Sequence, residues 1–254
     1  MDEPLDALWS LEPLGAPLFV YPDRDADLRT IVVTDTLEAA CWFTRSERVA
    51  WERSWIEYFE SAHAFELRSI QFLASVRQPV LDAMRSLRQL ERLSVENGTY
   101  SDLEPLRALS HLRSLSLDCR KVRDIAPLLG MESLHSLSLY AAGRVENIEM
   151  LGQIESLRTL DFDWLPGSKL QVTPASFDWT QSMRSLERLH MPGARIEADL
   201  TPLAALPNLR ELVIPLRRAY RGQVESLAET HQAFADLARA YAAYDQYVAE
   251  AGES

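Results

Sequence analysis

Seven times this chain writes one six-residue phrase: apolar, two others, apolar, one other, apolar. The copies are LRSIQF from Leu67, LERLSV from Leu90, LRSLSL from Leu112, LHSLSL from Leu134, LRTLDF from Leu157, LERLHM from Leu186 and LRELVI from Leu209. The steps between them are 23, 22, 22, 23, 29 and 23 residues, and a period of that size belongs to chains built by stacking one small unit. Apolar residues at the fourth and sixth positions have the period of a short strand, which sends them inward and turns the third and fifth outward. A second apolar set follows most strands: DLEPLRAL from Asp102, DIAPLLGM from Asp124, NIEMLGQI from Asn147, DLTPLAAL from Asp199. Early prolines and too few residues for a full α-helix predict an extended segment with a short 3-10 turn. One such coil cannot bury its leucines alone, so stacking must supply the core.

The phrase, its 22-residue spacing and the segments DIAPL and DLTPL resemble the leucine-rich repeat family, most of all its short class found in internalins and in a phosphatase regulatory subunit. The resemblance covers residues 62–217 and implies an α/β fold: a right-handed solenoid of about seven coils, with parallel strands on a concave face and short 3-10 or irregular turns on the convex face. It departs from the family at one place. Where members carry Asn or Cys three positions after the last apolar residue of the phrase, this chain has Ser75, Gly98, Arg120, Ala142, Leu165, Ala194 and Arg217, with Asn97 and Cys119 one position early. A regular asparagine ladder is therefore not expected, and backbone or water must satisfy those turns.

A stacked core needs both ends covered. Residues 218–254 supply a capping helix, with Leu227, His231, Phe234, Tyr241, Tyr244 and Val248 at helical spacing. Residues 1–61 read as a mixed strand and helix cap with an aromatic core from Trp9, Trp42, Trp51 and Trp55, and LRTIVV from Leu28 imitates the repeat phrase. The 29-residue step marks an insertion between Trp164 and Met183. It is either a bulge whose Phe177 and Trp179 tuck onto the coil or a recognition loop.

Charge narrows the class of partner. The net charge is −12, but residues 1–60 carry 13 acids and 5 bases, residues 222–254 carry 6 and 1, and residues 61–221 are nearly neutral at 19 and 20. Such a balance opposes nonspecific nucleic-acid binding, which neutralises phosphates with a basic surface. No apolar run has membrane-spanning length and the N-terminus lacks a signal pattern, so no membrane partner is expected. Two cysteines, Cys41 and Cys119, make neither a disulfide framework nor a zinc cluster, and a cytoplasmic location is the expectation. The scattered histidines suggest no metal site, and no glycine-rich loop or nucleophile elbow points to a cofactor or an enzyme.

Seven strands at roughly 4.8 Å spacing make a face on the order of 30 Å across, enough for a partner protein. Small serines read as a flat floor. Standing on it are Tyr140, Asp161, Asp163, Trp164, Arg188 and His190, with Arg92 and Asp118 also outward; aromatic and arginine groups beside carboxylates are the chemistry of interface hot spots. Ser138, Asp161 and His190 on successive strands imitate a hydrolase triad, yet Asp161 falls in the middle, and a triad needs the imidazole there. The expectation is a non-enzymatic protein-binding module, with a basic partner favoured by the acidic ends, for example as an inhibitor or immunity-type protein. The alternative is a targeting or regulatory arm for chemistry in the N-terminal region or in a partner subunit.

Overall fold

A computed structural model describes residues 18–19, 29–34, 36–37, 41–42, 44–163 and 170–252. Each repeat phrase is a strand: β5 (Ser69–Val76), β6 (Arg92–Gly98), β7 (Ser114–Asp118), β8 (Ser136–Tyr140), β9 (Thr159–Asp161), β10 (Arg188–His190) and β11 (Glu211–Val213). They pair in parallel and in register, third position on third position, along Ser69, Arg92, Ser114, Ser136, Thr159, Arg188 and Glu211. The N-terminal imitation of the phrase joins the same ladder. Strand β2 (Thr30–Val33) pairs with β5 through Thr30 and Ser69, and β1 (Leu18–Phe19) adds a further strand, so nine parallel strands form one sheet. A short antiparallel pair, β3 (Thr36–Leu37) and β4 (Cys41–Trp42), lies outside it.

The fourth and sixth positions of every phrase, from Ile70 and Phe72 to Leu212 and Ile214, are buried, and so is each leading leucine. Behind the strands run short turns: 3-10 segments at Glu104–Ala108, Ala126–Leu128, Ile148–Gln153 and Asp178–Ser182, with brief α-helices α2 (Gln78–Ala83) and α3 (Thr201–Ala204) in two coils. The Asp of the DLxPL and DIAPL segments starts these turns. Asp102, Asp124 and Asp199 each accept a bond from the backbone N–H two residues on, at 2.8, 2.8 and 3.0 Å, which fixes the chain for the turn that follows. Asn147 couples neighbouring coils, accepting from the Ile125 N–H at 3.1 Å and donating to Asp124 at 2.7 Å. At the opposite strand end, where the asparagine ladder is missing, backbone bonds step from coil to coil: Cys119 N to Tyr140 O, Ala141 N to Asp163 O, Phe162 N to His190 O and Met191 N to Val213 O, at 2.7–3.0 Å.

At one end α1 (Arg45–Phe59), opened by a Thr44/Glu47 capping box, buries Trp51, Trp55, Tyr58 and Phe59. Phe59 meets Phe72 of β5 edge to face at 6.2 Å, and Trp51 donates its indole N–H to the Thr34 carbonyl at 3.2 Å. At the other end α4 (Arg221–Leu227) and α5 (Gln232–Gly252) cover β11, with Ala233, Phe234, Leu237 and Tyr241 buried. Tyr241 OH both donates to Arg217 O and accepts from Arg217 N, at 2.8 Å each. The apolar stripe of α5 continues through Tyr244 and Val248, but these are exposed because the helix outruns the coil it covers.

Despite the long fifth step, Thr159 still pairs with Arg188, so the sheet absorbs none of the extra residues. Residues 170–182 pack onto the coil. Phe177 is fully buried, Trp179 packs against the core, and backbone bonds tie Leu170 to Gly143 and Val172 to Arg195 at 3.1 and 2.9 Å. For this part of the insertion the tucked bulge is the arrangement found; residues 164–169 lie outside the described residues.

Candidate partner-binding face

The serine floor is more deeply set than its sequence suggests. Ser114 and Ser138 are 9% exposed, and Ser136 and Thr159 only 1%, so a partner resting on this face meets the taller groups first and reaches a floor hydroxyl only where the cavity opens onto Ser138.

Those taller groups converge at the C-terminal half of the sheet. Register places Asp161 on β9 beside His190 on β10. His190 Nδ1 lies 3.2 Å from Asp161 Oδ1, and Nε2 lies 2.6 Å from Glu211 Oε1 on β11. Arg188 Nε donates to the other Glu211 oxygen at 2.7 Å. Both imidazole nitrogens thus face carboxylate oxygens, and to donate to both the group needs one proton more than neutral imidazole carries. Around this cluster opens a cavity of about 380 Å3, lined by Ser138, Asp161, Asp163, Arg188, His190 and Pro192 together with Phe162.

Burial pushes the Asp161 carboxyl above the usual carboxylate range; His190 and Arg188 oppose the shift, and the Glu211 and Asp163 carboxylates add to it. A carboxyl that binds its proton more tightly in the folded chain stabilises the fold below the ordinary carboxylate range, and that contribution is lost as pH rises through the raised folded value. Asp161→Asn should therefore flatten this slope and hold or raise the melting temperature at pH 7. A melting temperature several degrees lower at pH 7 would show that the carboxylate is stabilising and its burial harmless.

Several residues read from the sequence as site residues fall elsewhere. Asp118 is turned inward with its side chain fully buried; it accepts from the Gly98 N–H at 3.1 Å and pairs with Arg120 at 2.5 Å. It is committed to the chain's own turns, because pairing of β6 with β7 ends at Val95 and Leu117 and leaves the Gly98 N–H for a side chain to satisfy. Arg92 is exposed on β6, three strands from Asp161 and so about 14 Å away, outside the cluster. Tyr140 ends β8 half-buried, its hydroxyl pushed up by burial and by the Asp163 carboxylate; Asp163 is exposed just beyond β9. Trp164 lies outside the described residues. Glu211 was passed over, although a signal for it existed: it holds the third position of the strand next to His190.

The triad reading fails on geometry as it does on sequence. Ser138, Asp161 and His190 are register partners in that order, which leaves the carboxylate between the hydroxyl and the imidazole. Among the described residues no three His, Cys, Asp or Glu side chains are grouped to hold a metal ion, and no helix is long and apolar enough to cross a membrane.

What decides the architecture is the unbroken ladder of equivalent positions, each strand with its leucines on one side and a short turn behind. This is a leucine-rich repeat fold. No family model matches the chain, and no curated protein matches it. Solved structures similar to this solenoid include internalin C2 of Listeria monocytogenes, at 19% identity over 62% of this chain and 68% of the other, with a TM-score of 0.46. Internalin F of the same organism is 20% identical over 64% of this chain and 60% of the other, TM-score 0.41. A leucine-rich repeat protein of Leptospira interrogans is 14% identical over 73% and 48%, TM-score 0.41. The solenoid's fold rests on its own ladder and not on these likenesses.

Proposed function

We propose that the solenoid is a non-enzymatic binding module that grips a partner protein on its strand face, centred on Asp161, Asp163, Arg188, His190, Glu211 and Tyr140. One observation carries this reading. Beside a central floor of small buried hydroxyls at Ser114, Ser136, Ser138 and Thr159, four charged or titratable groups, Asp161, Asp163, Arg188 and His190, line one cavity of about 380 Å3 on β8 to β10. An arginine and carboxylates around a recess, with Tyr140 at the end of the neighbouring strand β8, are the composition of interface hot spots. The net charge of −12 favours a basic partner by steering its approach. An inhibitor or immunity-type protein that masks a basic partner in the cytoplasm fits this reading.

The test compares the full chain with Asp161→Ala/His190→Ala in capture from a native lysate, with Glu104→Ala on an exposed turn as control. The double variant should lose at least tenfold of a partner that the control retains, and capture should weaken as salt rises. Equal capture by all three proteins removes this face from the function.

A further inference from the structure

Resting on that reading, we propose that the cavity is an anchor pocket for one arginine side chain of the partner protein, with Asp161 and Ser138 as its acceptors. The pocket's polar groups are satisfied unevenly. Arg188 Nε and His190 Nε2 both meet Glu211, at 2.7 and 2.6 Å, so these two donors are turned away from Asp161. The acceptor side is less occupied. Asp161, with its side chain only 18% exposed, touches only His190 among the described residues, at 3.2 Å. Ser138, a residue only 9% exposed on the neighbouring strand, lines the cavity, and its hydroxyl meets no described partner.

A half-buried carboxylate can accept several bonds, and one that meets a single donor keeps acceptor capacity to spare. A buried hydroxyl beside it adds a further acceptor. Register puts these two residues directly opposite each other on β8 and β9, about 5 Å apart, and a guanidinium offers donors in several directions within one plane. Asp163 stands two residues along the chain at the mouth of the same cavity, roughly 7 Å from Asp161, where it adds negative charge along the path of an entering cation. Lysine would supply a point charge without the fork that reaches two acceptors at once.

The experiment uses the intact chain and needs no partner. N-acetyl-L-arginine amide and N-acetyl-L-citrulline amide, nearly alike in shape but differing in charge, are titrated while the NMR resonances of Ser138, Asp161 and the His190 ring are followed. Arginine amide should give saturable shifts at all three, at least tenfold tighter than citrulline amide, and Asp161→Asn should bring the two to equal weakness. Equal or absent shifts in the unmodified chain overturn the proposal, whatever the variant does. If the double variant abolishes capture while arginine amide gives no shift, the anchor falls and the binding face stands. If arginine amide binds but capture ignores the face, the face falls, and the assignment of the anchor to a partner falls with it.

Discussion

Arg77→Ala should lower unfolding stability by about 2 to 3 kcal/mol, at or below the low end for a buried ion pair that loses one partner, because the Arg77 side chain is itself 48% exposed. Arg77 precedes α2 and reaches back to α1, where its Nε and Nη2 donate to the two oxygens of Glu52. Glu52 is 7% exposed and lies among residues buried between α1 and the first full coils. Removing the guanidinium leaves that carboxylate without its bidentate partner in a place that water reaches poorly. Arg77→Lys should recover only part of the loss, since an ammonium cannot present two parallel donors. Pairing Arg77→Ala with Glu52→Leu should recover most of it, because the penalty lies in the stranded charge. Urea midpoints of the four proteins measure this. A double variant no more stable than Arg77→Ala would place the effect in lost packing and not in the ion pair.

Gly152→Ala should cost about as much, near the ~3 kcal/mol upper end for overpacking a rigid site. Gly152 lies in the 3-10 turn Ile148–Gln153, pressed against the turn that ends the insertion. A Cβ there would sit 2.0 Å from the Trp179 carbonyl oxygen and 3.0 Å from its carbon. The obstacle is backbone, which has nowhere to go: Trp179 packs on the core, and Ser182 of the same turn donates to the Gly152 carbonyl. Conformation is not the reason for this glycine, since its φ is not positive. Gly222 is the control. A Cβ added there meets nothing within 4 Å, and its position in α4 makes Gly222→Ala neutral or stabilising by about 0.5 kcal/mol. Equal urea midpoints for Gly152→Ala and the unmodified chain would mean that the insertion can lift off its coil at no cost.

Much of the architecture is legible because the repeat writes local and global instructions together. Leu137 and Leu139 belong to a two-residue period that any strand imposes, and Asp124 with Pro127 belongs to a turn that starts from a local bond to the Ala126 N–H. The site is legible only in part. Asp161, Arg188 and His190 can be placed on one face by counting from the phrase, and register then brings them together. Counting does not reveal that Asp118, in an equally outward position, bends inward to hold the Gly98 N–H. Nor does it show that the Glu211 carboxylate claims both Arg188 and His190. These outcomes depend on side-chain angles and on distances between chain segments twenty or more residues apart, which no period encodes.

By itself, the sequence determined the stack: the inward leucines, the step between strands and the outward positions. That follows from strand geometry, in which every second residue faces the same way and each coil needs a neighbour to bury its leucines. Only the tertiary structure decided which outward groups are spent on one another, how deep the serines lie, and where the extra residues of the insertion go. Each of those depends on competition for space and for hydrogen-bond partners among groups that meet only once the coils are stacked.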